Sequence, residues 1–223
     1  AEMSIEEERG PIYQAIMRQA SALTTFHMLE LLETQGAYTL KRFIEKMESN
    51  DKRSHSMMMK EEHHSHLKEL LEGPCYIEHP KAELLKKALQ EQFKNNTNSR
   101  TLVFTQYRDT VTHLVEELNK IEGIRAERFV GQASKLHDKG LTQEQQASFI
   151  QDLRKGYLNT LVATSIAEEG LDIPEVDLVV FYEPIPSEIR YIQRRGRTGR
   201  KTAGRVTILA TADTYDMIYL HTS

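Results

Sequence analysis

Cysteine is nearly missing from this sequence: Cys75 is the single one in 223 residues. No intrachain disulfide can form, and a metal site built on several thiolates is excluded with it. No metal-ligating residue is expected in this chain. Such usage suits a reducing compartment, and a cytoplasmic location is expected, or a nuclear one in a eukaryotic cell. A basic excess is lacking too. Lys and Arg number 29 against 33 Asp and Glu, a net charge of −4, so the totals give no sign of nucleic acid as a partner. No apolar run approaches the ~18 residues of a membrane span, so no membrane partner is expected. The first nine residues are acidic and have no apolar centre, so they do not read as a secretory leader. Opening on Ala1-Glu2-Met3, the chain reads as a piece of a longer protein.

A neutral total hides a local patch. From Arg190 to Arg205 the charged residues are Arg190, Arg194, Arg195, Arg197, Arg200, Lys201 and Arg205, with no acid among them. Within it, Gln193-Arg194-Arg195-Gly196-Arg197-Thr198-Gly199-Arg200 sets two glycines three positions apart. Each would cost a helix interior about 1 kcal/mol relative to Ala. The run is therefore a helix end or a loop that presents guanidinium groups. Planar, permanently charged forks suit phosphate oxygens; the plainer alternative is a solvated basic loop.

Residues 1–73 read as helical. Ser4 to Glu7 has the capping-box pattern. Ile12, Ile16, Leu23, Phe26, Met28, Leu31 and Leu32 recur at helical spacing up to a stop at Gly36. Tyr38, Leu40, Phe43, Ile44 and Met47 form a second amphipathic segment, and Met57 to Leu71 a third, ended by Gly73-Pro74. His55, His63, His64 and His66 gather in the third segment. Without a His-Glu-x-x-His pattern or a cysteine partner they read as a solvated face rather than a metal site.

From Pro80 the pattern changes. A helix over residues 80–94 is followed by strands at 101–105, 125–130, 161–164, 178–182 and 206–210, most of them apolar runs. Helices at 111–121, 142–155, 187–194 and 213–220 alternate with them. Near-continuous apolar strands alternating with helices predict an α/β domain, a parallel sheet with helices on both faces. Ligands of such sheets bind in the loops that leave the carboxyl ends of the strands. Those loops hold the unusual residues: Gln106-Tyr107-Arg108; Gly131-Gln132-Ala133-Ser134; the stretch from Ser165 to Pro174; and the arginine run.

These segments resemble named motifs. Val162-Ala163-Thr164-Ser165 through Gly170-Leu171-Asp172, followed by Gln193-Arg194-x-Gly-Arg-x-Gly-Arg, is similar to motifs V and VI of superfamily 2 helicases. Thr101 to Tyr107 is similar to motif IV, and Phe129-Val130-Gly131-Gln132 to the segment after it in the Hef/FANCM branch. The wording from Glu168 to Asp177 and from Tyr182 to Ser187 most resembles archaeal Hef.

The resemblance implies a RecA-like C-terminal motor domain over residues 74–223, preceded over residues 1–73 by part of a helical insertion. It implies ATP and Mg²⁺ as cofactors, held mainly by an N-terminal RecA-like domain of the same full-length protein. Forked or branched DNA is the implied substrate, and a further nuclease domain is left open. Arg197 and Arg200 would reach the γ-phosphate, with Arg200 as arginine finger. Gln193, Gly170 and Asp172 would serve the ATP side, although Asp172 also suits a turn cap. Thr164 and the backbone near Thr105, Gln106, Gly131 and Gln132 would hold nucleic-acid phosphates. Arg194 and Arg195 divide between ion pairs within the domain and DNA contact.

Two pieces of a complete motor are missing. No G-x-x-x-x-G-K-[ST] cradle occurs: around Lys201 the required glycine positions hold Arg195 and Arg200. No Asp-Glu dipeptide occurs either, so the pair that binds Mg²⁺ and activates water is absent. The chain alone is expected to be inactive as an ATPase. Two alternatives remain: a duplex-RNA translocase domain of the Dicer or RNA-sensor type, and a non-catalytic nucleic-acid-binding module. The second has no need of both Arg197 and Arg200.

Overall fold

The computed structural model describes residues 10–49, 62–73, 77–134, 138–164, 175–185 and 204–222. The chain divides into two compact units, Ala1–Ile77 and Glu78–Ser223.

In the first unit, helix α1 spans Pro11–Thr34, α2 Ala37–Glu48 and α3 Glu62–Glu72. Proline opens α1, where its missing N–H costs nothing. Gly36, at φ 94°, makes the turn into α2, a backbone conformation that an L side chain resists. Met28, Leu40, Ile44 and Met47 form the core, with Phe43, Leu67 and Leu71 against it. Lys68 Nζ reaches the Glu48 carboxylate at 2.9 Å, tying α3 to α2.

The apolar series of α1 is buried only at its carboxyl end. Met28 and Leu31 are covered, whereas Ile12, Ile16, Leu23 and Phe26 are exposed. The reason is length: α1 has 24 residues and α2, which folds straight back at Gly36, has 12. The histidines also divide. His63 and His66 are exposed, but His64 is buried, which corrects the solvated-face expectation at that position. Packing places a residue, and spacing alone does not. His55 lies outside the described residues.

The second unit carries a five-stranded sheet. Its elements are α4 (Pro80–Asn95), β1 (Thr101–Phe104), α5 (Arg108–Leu118), β2 (Ala126–Phe129), α6 (Gln143–Lys155), β3 (Thr160–Ala163), β4 (Leu178–Phe181), β5 (Arg205–Ile208) and α7 (Tyr215–Thr222). Strand order is β2-β3-β1-β4-β5, and every pairing is parallel. Every residue of β1, β3 and β4 is buried, as the apolar runs require of central strands.

Side chains alternate across the sheet. Val103, Val162 and Val180 pack with Leu85 and Leu89 of α4 and Val111, Leu114 and Leu118 of α5. Leu102, Phe104, Leu161 and Phe181 pack with Ile150 and Leu153 of α6 on the other face. The α/β expectation, a parallel sheet with helices on both faces, therefore holds.

The amino edge of the sheet is bound by polar ties. Arg100 N–H donates to Asp177 Oδ2, and the Arg100 guanidinium donates to the last carbonyls of α6, Leu153 and Arg154. Asn159 ties Gly123 to the start of β3 in the same way. Away from the edges, His113 Nε2 meets the Glu78 carboxylate at 3.0 Å, and Lys86 meets Glu117 at 3.1 Å. The ligand atoms of Glu78, His113 and Glu117 converge, but each already has an ion-pair partner within the protein.

Candidate nucleic-acid interface

The carboxyl edge is the opposite case: a row of loops. One residue past β1, β3, β4 and β5 the ladder continues by a single bond. Thr105 N–H donates to Ala163, Thr164 N–H to Phe129, Tyr182 N–H to Phe104 and Leu209 N–H to Phe181. These bonds hold four loop starts at one level. Strand order adds a crevice. From β1 the chain leaves toward β3 and β2, and from β4 it leaves toward β5, so the connections part between adjacent strands β1 and β4. A parting of this kind is where open α/β sheets bind ligands.

Five expected site residues come together on this edge. Thr105 is fully buried and Gln106 exposed at the end of β1. Gly131 is half-buried and Gln132 exposed after β2, and Thr164 is half-buried after β3. The other five, Gly170, Asp172, Gln193, Arg197 and Arg200, lie outside the described residues, as do Arg194 and Arg195. Their segments are joined to the sheet at described positions. Residues 165–174 run from Thr164 to Glu175, and residues 186–203 run from Ile185 to Gly204.

The loop after β2 is tightly braced. Arg108, opening α5, donates to the Gly131 carbonyl at 2.9 Å and to Asp138 Oδ2 at 3.2 Å. Arg128 of β2 donates to the other Asp138 oxygen at 2.6 Å. Burial alone would raise the Asp138 carboxyl, but Arg128 and Arg108 outweigh it and hold the group below its usual value. Gly140 closes the loop. A Cβ there would stand 2.2 Å from the Gln132 carbonyl oxygen, so only glycine permits the approach.

Sequence reasoning missed the group that fills the crevice. Glu183, two residues past β4, is buried, and its Oε1 accepts from the Thr105 hydroxyl at 3.0 Å and from the Gln106 N–H. Beneath it lies Lys81, first-turn residue of α4, whose ammonium meets Asp216 of α7 at 2.6 Å and lies 4.9 Å from the Tyr182 ring centroid. Burial lowers the Lys81 pKa, while Glu183 and Asp216 oppose that shift. An acid directly after a wholly apolar strand was the visible signal. Lys81, in a run of lysines and leucines, gave none.

Among the described residues, no helix is long and apolar enough to cross a membrane. The family model for the helicase conserved C-terminal domain matches residues 80–202. A crystal structure of the Pyrococcus furiosus Hef helicase domain superposes with a TM-score of 0.76 at 41% identity, covering 98% of this chain and 45% of that one. A putative ATP-dependent RNA helicase of Methanocaldococcus jannaschii is 39% identical over 93% of this chain. A putative ATP-dependent DNA helicase of Schizosaccharomyces pombe is 42% identical over 68% of it. The chain spans 26% and 20% of the length of these two relatives. With a parallel sheet of this order and a family match over most of its second unit, the chain belongs to the helicase C-terminal domain family.

Proposed function

We propose that this chain is the second motor domain, with part of a helical insertion, of an ATP-dependent helicase or translocase that acts on forked or branched DNA. One observation carries it: Thr105, Gln106, Gly131, Gln132 and Thr164 share the carboxyl edge of one sheet, and the two motif segments start from that same edge. The relatives' DNA helicase names, and the Hef likeness over nearly the whole chain, support the substrate.

The chemistry follows from what the chain has and lacks. ATP supplies the phosphoryl group that passes to water. Arg197 and Arg200 provide fixed positive charge for the γ-phosphate as negative charge moves onto the leaving oxygens. Gln193, Gly170 and Asp172 serve the same nucleotide face. This chain offers no phosphate cradle and no Asp-Glu pair, so Mg²⁺ and most of the nucleotide belong to the N-terminal RecA-like domain. Closing of the two domains around ATP would then move the loops after β1, β2 and β3 along backbone phosphates. Binding to phosphates depends steeply on salt and little on sequence.

A second reading is duplex RNA as track, favoured by the name that the Methanocaldococcus relative carries. The test is ATP turnover by the full-length protein against forked DNA and duplex RNA of equal length. Half-saturation by the fork at a concentration about tenfold lower or more supports the DNA reading, a preference of roughly 1.4 kcal/mol. The reverse order makes the protein an RNA translocase. Turnover indifferent to both, or nucleic-acid-stimulated hydrolysis by this chain alone, removes the proposal.

A further inference from the structure

The crevice between β1 and β4 is where the sheet is expected to receive a ligand, yet a side chain of the protein already occupies its donors. Glu183 Oε1 takes both the Thr105 hydroxyl and the Gln106 N–H. A phosphate oxygen cannot share those two donors, because the carboxylate already takes the hydrogen of each. Thr105 is fully buried, so its side chain offers nothing to solvent in any case. What remains outward is the Gln106 side chain, at the end of a peptide whose orientation Glu183 fixes.

Glu183 is in turn held. Phe104 and Phe181 are paired in register, and Tyr182 N–H donates to the Phe104 carbonyl, so the backbone before Glu183 is locked to the backbone before Thr105. Below, the Lys81 ammonium supplies positive charge to a carboxylate that is 2% exposed. Asp216 anchors that ammonium, and it also accepts from the Thr211 N–H, fixing the turn before α7. Three separate stretches of chain therefore converge around one carboxylate aimed at one peptide.

We infer that Glu183 is a positioning residue for the nucleic-acid interface: it orients the Thr105–Gln106 peptide so that the Gln106 side chain faces the strand. The inference rests on the proposed function, and it goes beyond it by moving Thr105 and the Gln106 N–H from phosphate contact to internal support. Glu183 touches neither nucleic acid nor nucleotide. It acts through Gln106.

The experiment uses the full-length protein, with forked DNA and duplex RNA each titrated into the ATP turnover assay. In Glu183→Ala the nucleic acid concentration for half-maximal stimulation rises about tenfold or more, the weight of the hydrogen bonds to a charged group that are lost. Maximal turnover falls much less, because the nucleotide side is not addressed. Glu183→Gln keeps an oxygen for the same two donors and restores most of the loss; a carboxylate that merely bound nucleic acid through a cation would not be replaced this way. Thr105→Val removes one bond from the other side, gives an intermediate rise, and stands in for Glu183→Ala if that variant does not fold. Hydrogen exchange at the Gln106 amide should quicken in Glu183→Ala. A stimulated wild type whose half-saturation is unmoved in both Glu183→Ala and Thr105→Val overturns this inference alone. A wild type that ignores both nucleic acids overturns the proposed function, and this inference with it.

Discussion

Lys81 and Asp216 stand 135 positions apart in the sequence, yet their charged ends meet at 2.6 Å with both side chains sealed from water. The pair joins the first turn of α4 to α7, the first helix of the unit to its last. Removing one partner strands the other charge in the interior. Asp216→Ala should therefore destabilise the chain by about 3–5 kcal/mol, the usual cost of breaking a buried pair. Lys81→Met removes the ammonium and should make the same Asp216→Ala change much cheaper. Urea unfolding of the two single variants and the double variant measures this. Effects that add within about 0.5 kcal/mol would show the two charges to be uncoupled.

The clamp of Arg108 and Arg128 on Asp138 predicts a pH dependence. Asp138 has a folded pKa below its unfolded value of about 3.9. The unfolded chain therefore holds the proton more tightly than the folded one. Stability from this carboxylate is full above about pH 4 and is lost as pH falls through the folded pKa. Asp138→Asn should cost about 1.5–3 kcal/mol at neutral pH, the scale of hydrogen bonds to a charged group. The variant should also lose less of its remaining stability on acidification. Unfolding curves from about pH 7 down to about pH 3 check the sign; an unchanged acid slope would rule out an ionised Asp138 in the clamp.

Gly140 makes a prediction about space. An alanine Cβ would stand 2.2 Å from the Gln132 oxygen and 2.6 Å from the Gly131 oxygen, both backbone atoms. Neither can turn aside as a side chain tip would, so the loop after β2 must shift. Overpacking of this kind costs about 1–3 kcal/mol. If Gly131 and Gln132 hold phosphates, Gly140→Ala should also weaken fork binding by the full-length protein about five- to tenfold, the weight of one such hydrogen bond. Lost stability with unchanged affinity would take this loop out of the interface.

How much of this was legible in the sequence depends on range. The three central strands were plain because a central parallel strand must be apolar on both faces, so the runs around Val103, Val162 and Val180 identify themselves. Gly36 was plain because a helix stop needs its positive φ. Gly131 stood out as a loop start after its strand, whereas Thr105 and Thr164 were singled out only by the resemblance to helicase motifs. What failed was anything set by partners far away in the chain. Ile12 and Phe26 have helical spacing but no described neighbour in their unit to cover them, so they are exposed. Lys81 sits in a run of lysines and leucines, and its ammonium is covered by Asp216 of α7 and the Tyr182 ring, both more than 100 positions away. Glu183 was in plain view after β4. Its role was not, because the donors it satisfies are 77 and 78 positions earlier.

Arg200 and Thr164 should separate the two halves of the proposed mechanism. Arg200 lies in the run that faces nucleotide in the resemblance, while Thr164 sits half-buried on the carboxyl edge beside Thr105. In the full-length protein, Arg200→Ala should lower ATP turnover about 10³-fold or more, on the scale of arginine fingers. Its fork affinity should change little, since the proposal aims that guanidinium at the nucleotide. Thr164→Ala should do the reverse first: a weaker response of turnover to forked DNA, with a smaller effect on turnover once the fork is saturating. Steady-state ATPase titrated with fork, together with direct fork binding, reads both. A fall of less than about tenfold in Arg200→Ala means another group stabilises the leaving phosphoryl charge. If instead Arg200→Ala lost fork binding while Thr164→Ala did not, the arginine run would be gripping nucleic acid, and the roles of the two segments would have to be exchanged.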